Sequence, residues 1–168
     1  TAEPNGFIEL GLAPELVQAV ADLGYTQPTS VQLKAIPLAM GSGNDSTSFI
    51  DLMVSSQTGS GKTAAFLLPV LHTLIQQQAA AEAEERAAFE RAVAEAAARG
   101  EPAPKRAKRK DPTNSRNFKA ATPGALILCP TRELAQQVAH DAIDLVKHCR
   151  GLRVANVVGG MPYQLQIA

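Results

Sequence analysis

The sequence predicts an α/β fold in which a parallel sheet is flanked by helices. Three short apolar segments, at residues 49–56, 125–129 and 153–158, have the length and composition of buried strands. The amphipathic stretch at residues 131–149 lies between the last two segments. A strand, helix and strand at this spacing predict a right-handed parallel crossover, and 168 residues suffice for about one domain.

Two helices are predicted before the first strand candidate. Residues 14–23 place apolar side chains on one helical face, with Pro14 suited to the first turn and Gly24 to the position just past the end. A second helix is predicted to begin at Thr29, because Thr29 and Gln32 have the spacing of a capping box. The apolar face of the first helix consists of Leu16, Val17, Val20 and Leu23.

Two further helices are predicted in the rest of the chain. One runs from about Lys62 to Gln78, with a kink expected at Pro69 because proline cannot donate a backbone hydrogen bond. The other is the amphipathic stretch at residues 131–149. Its apolar side consists of Leu134, Val138, Ala142 and Leu145.

Composition and charge exclude several classes of protein. Sixteen basic and sixteen acidic residues cancel, so any binding of a polyanion has to be local. No apolar run approaches the ~20 residues of a membrane-spanning helix, so we expect no contact with a membrane. Cys129 and Cys149 are too few for a disulfide framework and suit a reducing compartment, so we expect the cytoplasm.

The glycine-rich segment Ser56–Thr63, SQTGSGKT, predicts a P-loop that holds the phosphates of a nucleoside triphosphate. Gly59 and Gly61 allow backbone N–H groups to approach phosphate oxygens. Lys62 supplies a charge to the β- and γ-phosphates, and the Thr63 hydroxyl is placed to ligate Mg²⁺. Lys62 and Thr63 are thus the candidate catalytic residues. The predicted contacts to the triphosphate are Ser56, Gln57, Thr58, Gly59, Ser60, Gly61, Lys62 and Thr63.

The residues around this loop resemble motifs of the DEAD-box RNA helicases. Residues 24–32, GYTQPTSVQ, resemble the Q motif, and Phe7 stands at its upstream aromatic position, so that this motif spans residues 7–32. The loop at residues 56–63 resembles motif I, although the family normally has Ala where this chain has Ser56. The resemblance implies that residues 1–168 are the N-terminal portion of the first RecA-like domain, which is a P-loop NTPase fold, here incomplete.

The resemblance also implies which nucleotide is bound. In the Q motif a glutamine reads the adenine edge, and Gln32 offers the donor and the acceptor that adenine requires, whereas guanine presents the opposite pattern. Tyr25 is placed to stack on the base. From the residues alone, Gln32 also fits a purely capping role, and Tyr25 and Phe7 also fit ordinary packing. The implied contacts to the nucleoside are Phe7, Tyr25, Gln27 and Gln32.

Two later motifs point to RNA. Residues 130–135, PTRELA, resemble motif Ia, and residues 159–160 resemble the GG motif of the same family. In the family, motif Ia contacts the sugar–phosphate backbone, which implies binding of RNA independent of its sequence. The residues alone also fit a helix start with a solvated charge and a turn. The implied contacts to RNA are Pro130, Thr131, Arg132, Gly159 and Gly160.

The 168 residues lack other parts of the family's pattern. The Asp-Glu-Ala-Asp motif, which holds Mg²⁺ and organises the attacking water, does not occur, nor do the Ser-Ala-Thr motif and the second RecA-like domain. We therefore expect a fragment, inactive alone, of an ATP- and Mg²⁺-dependent RNA helicase whose second domain is a partner in the same longer chain. Two alternatives stay open: a truncated ATP- or RNA-binding module without catalysis, and another P-loop NTPase such as a nucleotide kinase or GTPase.

Residues 79–119 interrupt the alternation of strands and helices and are predicted to be an insertion. The first part is rich in Ala, Glu and Arg, which favours a helix, with i,i+4 pairs Glu82–Arg86 and Glu95–Arg99. The second part is polar and contains prolines, so we expect it to be disordered. The basic run at residues 105–110 fits three interpretations: a solvated charge run, a tether for RNA, or a nuclear-import signal.

Overall fold

A computed structural model of the chain describes residues 5–41, 51–105 and 122–160. The chain divides into two compact units. The first unit contains every motif discussed above. The limits of the units are Thr1–Ile75 with Ile127–Ala168 for the first, and Gln76–Leu126 for the second.

Helices are the regular secondary structure of the described ranges. None of these helices is both long enough and apolar enough to cross a lipid bilayer. In chain order the elements are a 3₁₀ turn (Ile8–Leu10), α1 (Pro14–Asp22), α2 (Ser30–Met40), α3 (Lys62–Ala98) and α4 (Arg132–Leu145).

The starts and ends of the first helices confirm the predicted signals. Pro14 lies in the first turn of α1, and Gly24, just past its end, has a φ of 80°, where glycine is favoured. Thr29 caps α2: its Oγ1 accepts a hydrogen bond from the Gln32 N–H, and the Gln32 side chain accepts one from the Thr29 N–H. The capping box is therefore formed, and it fixes the position of Gln32.

The third helix is longer than predicted. It continues through Pro69 and ends at Ala98 instead of Gln78. The residues after Gln78 have high helix propensity and include no strong helix breaker before Gly100. Gly100 has a φ of 69°, a conformation common just past helix ends. The Ala/Glu/Arg tract is thus a continuation of α3.

The predicted ion pairs along this helix are wrong. Among the described residues, Glu82–Arg86 and Glu95–Arg99 do not pair, whereas Arg91 contacts Glu84 at 2.8 Å and Arg99 contacts Glu101 at 3.3 Å. All of these side chains are exposed, and an exposed pair of this kind contributes only about 0.2–1 kcal/mol to stability. Small differences in side-chain entropy and geometry therefore decide which partner is chosen. Residues 106–121, which hold most of the basic run, lie outside the described residues.

The core of the first unit lies between α1, α2, the start of α3 and α4. Most of the predicted faces of α1 and α4 are buried, but Leu23 and Leu134 are each 38% exposed. Leu23 follows the end of α1, and Leu134 lies in the first turn of α4. The buried residues of this core include Phe7, Leu12, Leu16, Val20, Ile36, Leu67, Leu68, Leu71, Val138, Ala142 and Leu145.

The predicted parallel sheet is not seen in the part of the chain that the structure describes. Residues 51–56, 125–129 and 153–158 have no strand conformation there, and Met53 and Leu128 are 100% and 84% exposed. A strand exists only when a neighbour about 4.8 Å away exchanges backbone hydrogen bonds with it. No strand is assigned to the three segments within the described ranges, so the sheet stays a prediction.

Candidate functional site

The phosphate loop ends where α3 begins. Gly59 and Gly61 have φ values of 79° and 85°, a left-handed conformation that costs other residues about 1–2 kcal/mol. The Gly61 carbonyl accepts the Ala65 N–H at 3.1 Å, so it already belongs to the first turn of α3, which starts at Lys62. The first N–H groups of a helix have no partner within it and carry a partial positive charge. The loop therefore leads into a favourable place for a phosphate.

Gln32 joins α2 to this loop. Its side chain is 4% exposed, Nε2 donates to the Gly61 carbonyl at 3.2 Å, and Oε1 accepts the Thr29 N–H at 2.9 Å. The Thr29 hydroxyl in turn donates to the Ser60 carbonyl at 2.8 Å. A Cβ on Gly61 would lie 2.4 Å from Gln32 Nε2, so glycine is needed for this contact. The bound carbonyl and N–H fix the orientation of the amide and leave it one N–H and one lone pair.

Lys62 is turned toward the loop itself. Its Nζ donates to the Gln57 carbonyl at 2.9 Å and also to the Ser56 carbonyl. The Ser56 and Ser60 hydroxyls are hydrogen-bonded to each other across the loop at 2.5 Å. Gln57 and Thr58, between the two serines, are exposed. In this conformation the loop is closed on its own lysine, which has one donor left.

Thr63 is the next residue of α3. Its side chain is half-buried, and its hydroxyl makes no hydrogen bond to any residue in the described ranges. Those ranges also contain no cluster of three or more His, Cys, Asp or Glu side chains that could hold a metal.

The other predicted contacts to the nucleoside are less closely gathered. Phe7 is 1% exposed and packs in the core, as the packing alternative predicts. Tyr25 is 49% exposed, so its ring is accessible for stacking. Gln27 is exposed and lies against Gly6, where a Cβ would be 2.3 Å from Gln27 Oε1. The structure thus brings Gln32 to the phosphate loop, and it places Phe7 in the core.

A second group of predicted site residues lies at the start of α4. The Thr131 hydroxyl accepts the Leu134 N–H at 3.2 Å and caps the helix. Arg132 is 60% exposed, and its Nε contacts Glu133 Oε1 at 3.2 Å. Gly160 has a φ of 81°, and a Cβ there would lie 3.0 Å from Arg132 Nη1. The structure therefore brings Arg132 and Gly160 together. The other predicted members, both exposed, are Pro130 and Gly159.

Two contacts of the phosphate loop were missed by the sequence reasoning. The Thr29 hydroxyl acts beyond its own helix by donating to Ser60, and the Ser56 hydroxyl bonds to the Ser60 hydroxyl. Nothing in the sequence indicates the first contact, because the capping of α2 already accounts for a threonine at position 29. The second had a signal, namely the serine at a position where the family normally has alanine.

Two histidines link the ends of α1 to α3 and to the segment just past α4. Asp22 Oδ2 and His148 Nε2 are hydrogen-bonded at 2.6 Å, and this bond, with a second one from Gln18, lowers the pKa of the Asp22 carboxyl. His72 Nδ1 accepts the Ala13 N–H at 3.0 Å, and burial lowers the pKa of the His72 imidazole. A neutral His72 is required for this bond, because a protonated ring has no acceptor.

The chain is similar to known helicases in sequence. The family model for DEAD/DEAH box helicases matches residues 29–168. The ATP-dependent RNA helicase SrmB of Haemophilus influenzae is 34% identical over 158 residues, which are 94% of this chain and 26% of that protein. The ATP-dependent RNA helicase DeaD of Escherichia coli K12 is 34% identical over 161 residues, 96% of this chain and 18% of that protein. The chain thus spans about a fifth to a quarter of these relatives.

Two solved structures share its fold. The RNA helicase Prp28 from Chaetomium thermophilum bound to ADP has a TM-score of 0.60 and 31% identity, covering 95% of this chain and 28% of that chain. Dbp5 of S. cerevisiae bound to RNA and ADP BeF3 has a TM-score of 0.53 and 26% identity, covering 87% and 25%. These similarities support the RecA-like helicase fold. Together with the geometry of the phosphate loop, they show that the chain belongs to the DEAD/DEAH box helicase family.

Proposed function

We propose that this chain binds ATP and contacts RNA as part of an ATP-dependent RNA helicase, and that hydrolysis and unwinding are activities of the whole protein. The observation that carries the proposal is the hydrogen bond from Gln32 to the Gly61 carbonyl at 3.2 Å. It puts the side chain expected to read a base next to the loop expected to hold phosphates. Relatives named ATP-dependent RNA helicases support the same activity.

The phosphate loop suits a triphosphate with Mg²⁺. Gly59 and Gly61 already have the left-handed φ values that let a loop wrap around an anion. Lys62 can exchange its two carbonyl partners for phosphate oxygens, which are stronger acceptors for an ammonium. Thr63 offers a hydroxyl to Mg²⁺. ATP held here would supply the phosphoanhydride bond whose cleavage drives strand separation, and a solved relative is bound to ADP.

The remaining capacity of Gln32 favours adenine. One amide N–H and one lone pair are left after its contacts with Gly61 and Thr29. Adenine offers a ring-nitrogen acceptor and an amine donor at the edge that such an amide reads, whereas guanine has a carbonyl acceptor in place of the amine donor. The ring of Tyr25 is half-exposed and would stack on the base. Gln27 completes the proposed contacts, and Phe7 would support them from the core.

Arg132 and Gly160 are the proposed centre of the RNA contact. Arg132 is exposed and has donors beyond the one that contacts Glu133, so it can bind a phosphate through charge-assisted hydrogen bonds. Gly160 lacks a side chain that would keep an RNA backbone away. Thr131 orients the start of α4 for the same contact, and Pro130 and Gly159 flank it. One solved relative is bound to RNA.

The finer architecture belongs to the same proposal. We place strands of a parallel sheet at residues 49–56, 125–129 and 153–158, and an insertion at residues 79–119, within a domain of which residues 1–168 are the N-terminal portion. The apolar composition of the three segments supports the strands. Hydrogen exchange on the whole protein would test them, because ladder N–H groups are protected and unpaired ones exchange rapidly. A cytoplasmic location is proposed because Cys129 and Cys149 are free thiols, which suit a reducing compartment.

Hydrolysis is proposed for the whole protein. Phosphoryl transfer in a P-loop enzyme needs a carboxylate that holds the metal and organises the water, and the sequence Asp-Glu-Ala-Asp does not occur in residues 1–168. In the whole protein, Lys62 and Thr63 would bind the phosphates and the metal. The second RecA-like domain would close on this one.

Titration of the chain with a fluorescent ADP analogue and Mg²⁺ tests the proposal. We expect binding that ATP displaces and GTP does not. Lys62→Ala should weaken binding at least tenfold, because a charge-assisted hydrogen bond is worth about 1.5–3 kcal/mol. Lys34→Ala is the matched control, because Lys34 is exposed on α2 and has no charged partner within the described residues. The affinity of this variant for the ADP analogue should equal that of the unchanged chain.

Other outcomes of the titration would contradict the proposal in different ways. Equal displacement by GTP would indicate another P-loop NTPase, although the family match does not favour one. Binding of RNA without any binding of nucleotide would leave only an RNA-binding module.

A further inference from the structure

Ser56 takes part twice in closing the phosphate loop. Its hydroxyl is hydrogen-bonded to the Ser60 hydroxyl, and its carbonyl accepts a hydrogen bond from Lys62. Ser56 and Ser60 are both half-buried and lie at the two ends of the exposed turn at residues 57–59. The hydroxyl pair therefore holds the first residue of the loop against the side that leads into α3.

The same contact keeps Lys62 away from a ligand. While the hydroxyl pair holds Ser56 against Ser60, the Ser56 carbonyl stays within hydrogen-bonding reach of Lys62 Nζ. The same ammonium group donates a further hydrogen bond to the Gln57 carbonyl at 2.9 Å. An incoming phosphate has to draw the ammonium away from both carbonyls. The closed loop and the loop with bound phosphate are thus alternative states, and whatever stabilises the first reduces the apparent affinity for the nucleotide.

The hydroxyl pair depends on the Ser56 side chain. Motif I, which this loop resembles, normally has alanine at this position, and alanine has no side-chain donor or acceptor. Two further contacts of the loop come from the cap and first turn of α2, namely Thr29 to Ser60 and Gln32 to Gly61. Neither contact involves Ser56. Ser56 can therefore be changed without removing them.

We infer that Ser56 is a positioning residue that holds the phosphate loop closed on Lys62 and thereby slows the entry of the adenine nucleotide. The inference rests on the proposed function, because it concerns binding of ATP or ADP at this loop. Removal of one hydrogen bond between uncharged groups shifts such an equilibrium about fivefold. In Ser56→Ala, the equilibrium between the closed and the open loop should shift toward the open state by that factor. Ser56→Thr keeps the hydroxyl and should resemble the unchanged chain.

Stopped-flow fluorescence with an ADP analogue and Mg²⁺ tests the inference. Ser56→Ala should raise the association rate constant about fivefold, because the hydroxyl pair is assigned to the free loop. The dissociation rate constant should stay unchanged, because the bound loop would contact phosphates through backbone N–H groups, which alanine keeps. A general loosening of the loop would instead raise the dissociation rate constant. In a Ser60→Ala background, where the pair is already absent, Ser56→Ala should have no further effect.

Ser55→Ala is the matched control. Ser55 is exposed, and its side chain makes no hydrogen bond to the described part of the chain, so both rate constants should stay unchanged. An association rate constant for Ser56→Ala equal to or below that of the unchanged chain would overturn the inference while the proposed function stands. Absence of nucleotide binding by the unchanged chain would overturn both. Urea unfolding of each variant shows whether a change in rate reflects a loss of folding.

Discussion

The part of the chain proposed to bind the nucleotide and the part proposed to bind RNA, here called the nucleotide side and the RNA side, are held together in different ways. On the nucleotide side, Gln32 is 4% exposed and bonds to the loop through the Gly61 carbonyl. On the RNA side, Arg132 is 60% exposed, contacts its neighbour Glu133, and approaches the Gly160 backbone. The first site is a network of backbone carbonyls and a buried amide, and the second is an exposed charge beside a glycine.

The difference predicts how each site responds to change. A buried amide between fixed backbone groups tolerates few substitutions, since a lost partner leaves a buried polar group unsatisfied. An exposed guanidinium can move, its interactions are screened by salt, and its loss weakens binding without disturbing the fold. Changes on the nucleotide side should therefore affect folding and binding together, whereas changes on the RNA side should affect binding alone.

Replacement of Gly61 should produce the largest effect. In Gly61→Ala the new Cβ would lie 2.4 Å from Gln32 Nε2 and 3.3 Å from Thr29 Oγ1, at a φ of 85°. Left-handed strain of about 1–2 kcal/mol adds to the loss of the Gln32 contact. We expect the free energy of unfolding, measured with urea, to fall by about 3 kcal/mol.

Gly59→Ala separates the two causes. Gly59 has nearly the same backbone conformation, with a φ of 79°, but no heavy atom within 4 Å of the added Cβ. Only the strain of about 1–2 kcal/mol should then appear in the free energy of unfolding. Equal losses for the two variants would show that Gln32 does not depend on Gly61, and the nucleotide side would be no more tightly linked than the RNA side.

Removal of the amide should produce the next largest effect. Gln32→Ala leaves the Thr29 N–H without its partner and removes one of the two donors to the Gly61 carbonyl, which keeps the Ala65 N–H. We expect a loss of about 2 kcal/mol in the free energy of unfolding. The preference for ATP over GTP should also disappear in the displacement titration. Gln18→Ala is the control, because Gln18 is exposed and bonds only to Asp22 among the described residues. A change below about 0.5 kcal/mol is expected there.

The local parts of the fold could be predicted from sequence, and the contacts between elements could not. The capping box at Thr29 and the glycine after α1 were predicted correctly because both depend on residues within one turn. The contact of Gln32 with Gly61 joins residues that the pattern treats separately. The predicted end of α3 at Gln78 is wrong, because the composition changes there but the residues that follow also favour a helix.

The candidate site divides in the same way. The glycine and lysine positions of the phosphate loop follow from a motif that carries its own physical reason. Phe7 could not be assigned, since an aromatic residue near a core fits packing and stacking equally well, and its position in the core is a property of the whole fold. The three strand candidates depend on partners distant in sequence, which no local pattern supplies.

Replacement of Arg132 should produce a smaller effect, confined to binding. Arg132→Ala should weaken binding of a single-stranded RNA oligonucleotide about fivefold at 0.1 M salt and reduce the salt dependence by about one phosphate contact. The free energy of unfolding should stay unchanged, since the Arg132–Glu133 pair is exposed. Arg132→Lys, which keeps the charge, should retain most of the affinity. A loss of stability in Arg132→Ala would show that the RNA side is also part of the folded network.

Acidification should produce the smallest effect on the free energy of unfolding. It acts by protonating His72, which links α3 to Ala13 at the start of α1. His72 on α3 accepts the Ala13 N–H, and burial lowers the pKa of His72 below its usual value of 6.5. The unfolded chain takes up the proton near pH 6.5, whereas the folded chain resists it. This contribution to stability is therefore present above pH 6.5 and is lost as the pH falls toward the lower pKa of the folded state.

Urea unfolding at pH 7.5 and at about pH 5.5 measures this loss, and His72→Asn isolates its cause. The Asn side-chain oxygen can accept the Ala13 N–H but does not titrate, so the variant should lose less stability between the two pH values. Asp22 does not interfere, because its pKa lies below the usual 3.8 and its contribution is lost only in stronger acid. The same pH dependence in both proteins would mean that the anchor of α3 does not depend on a neutral His72.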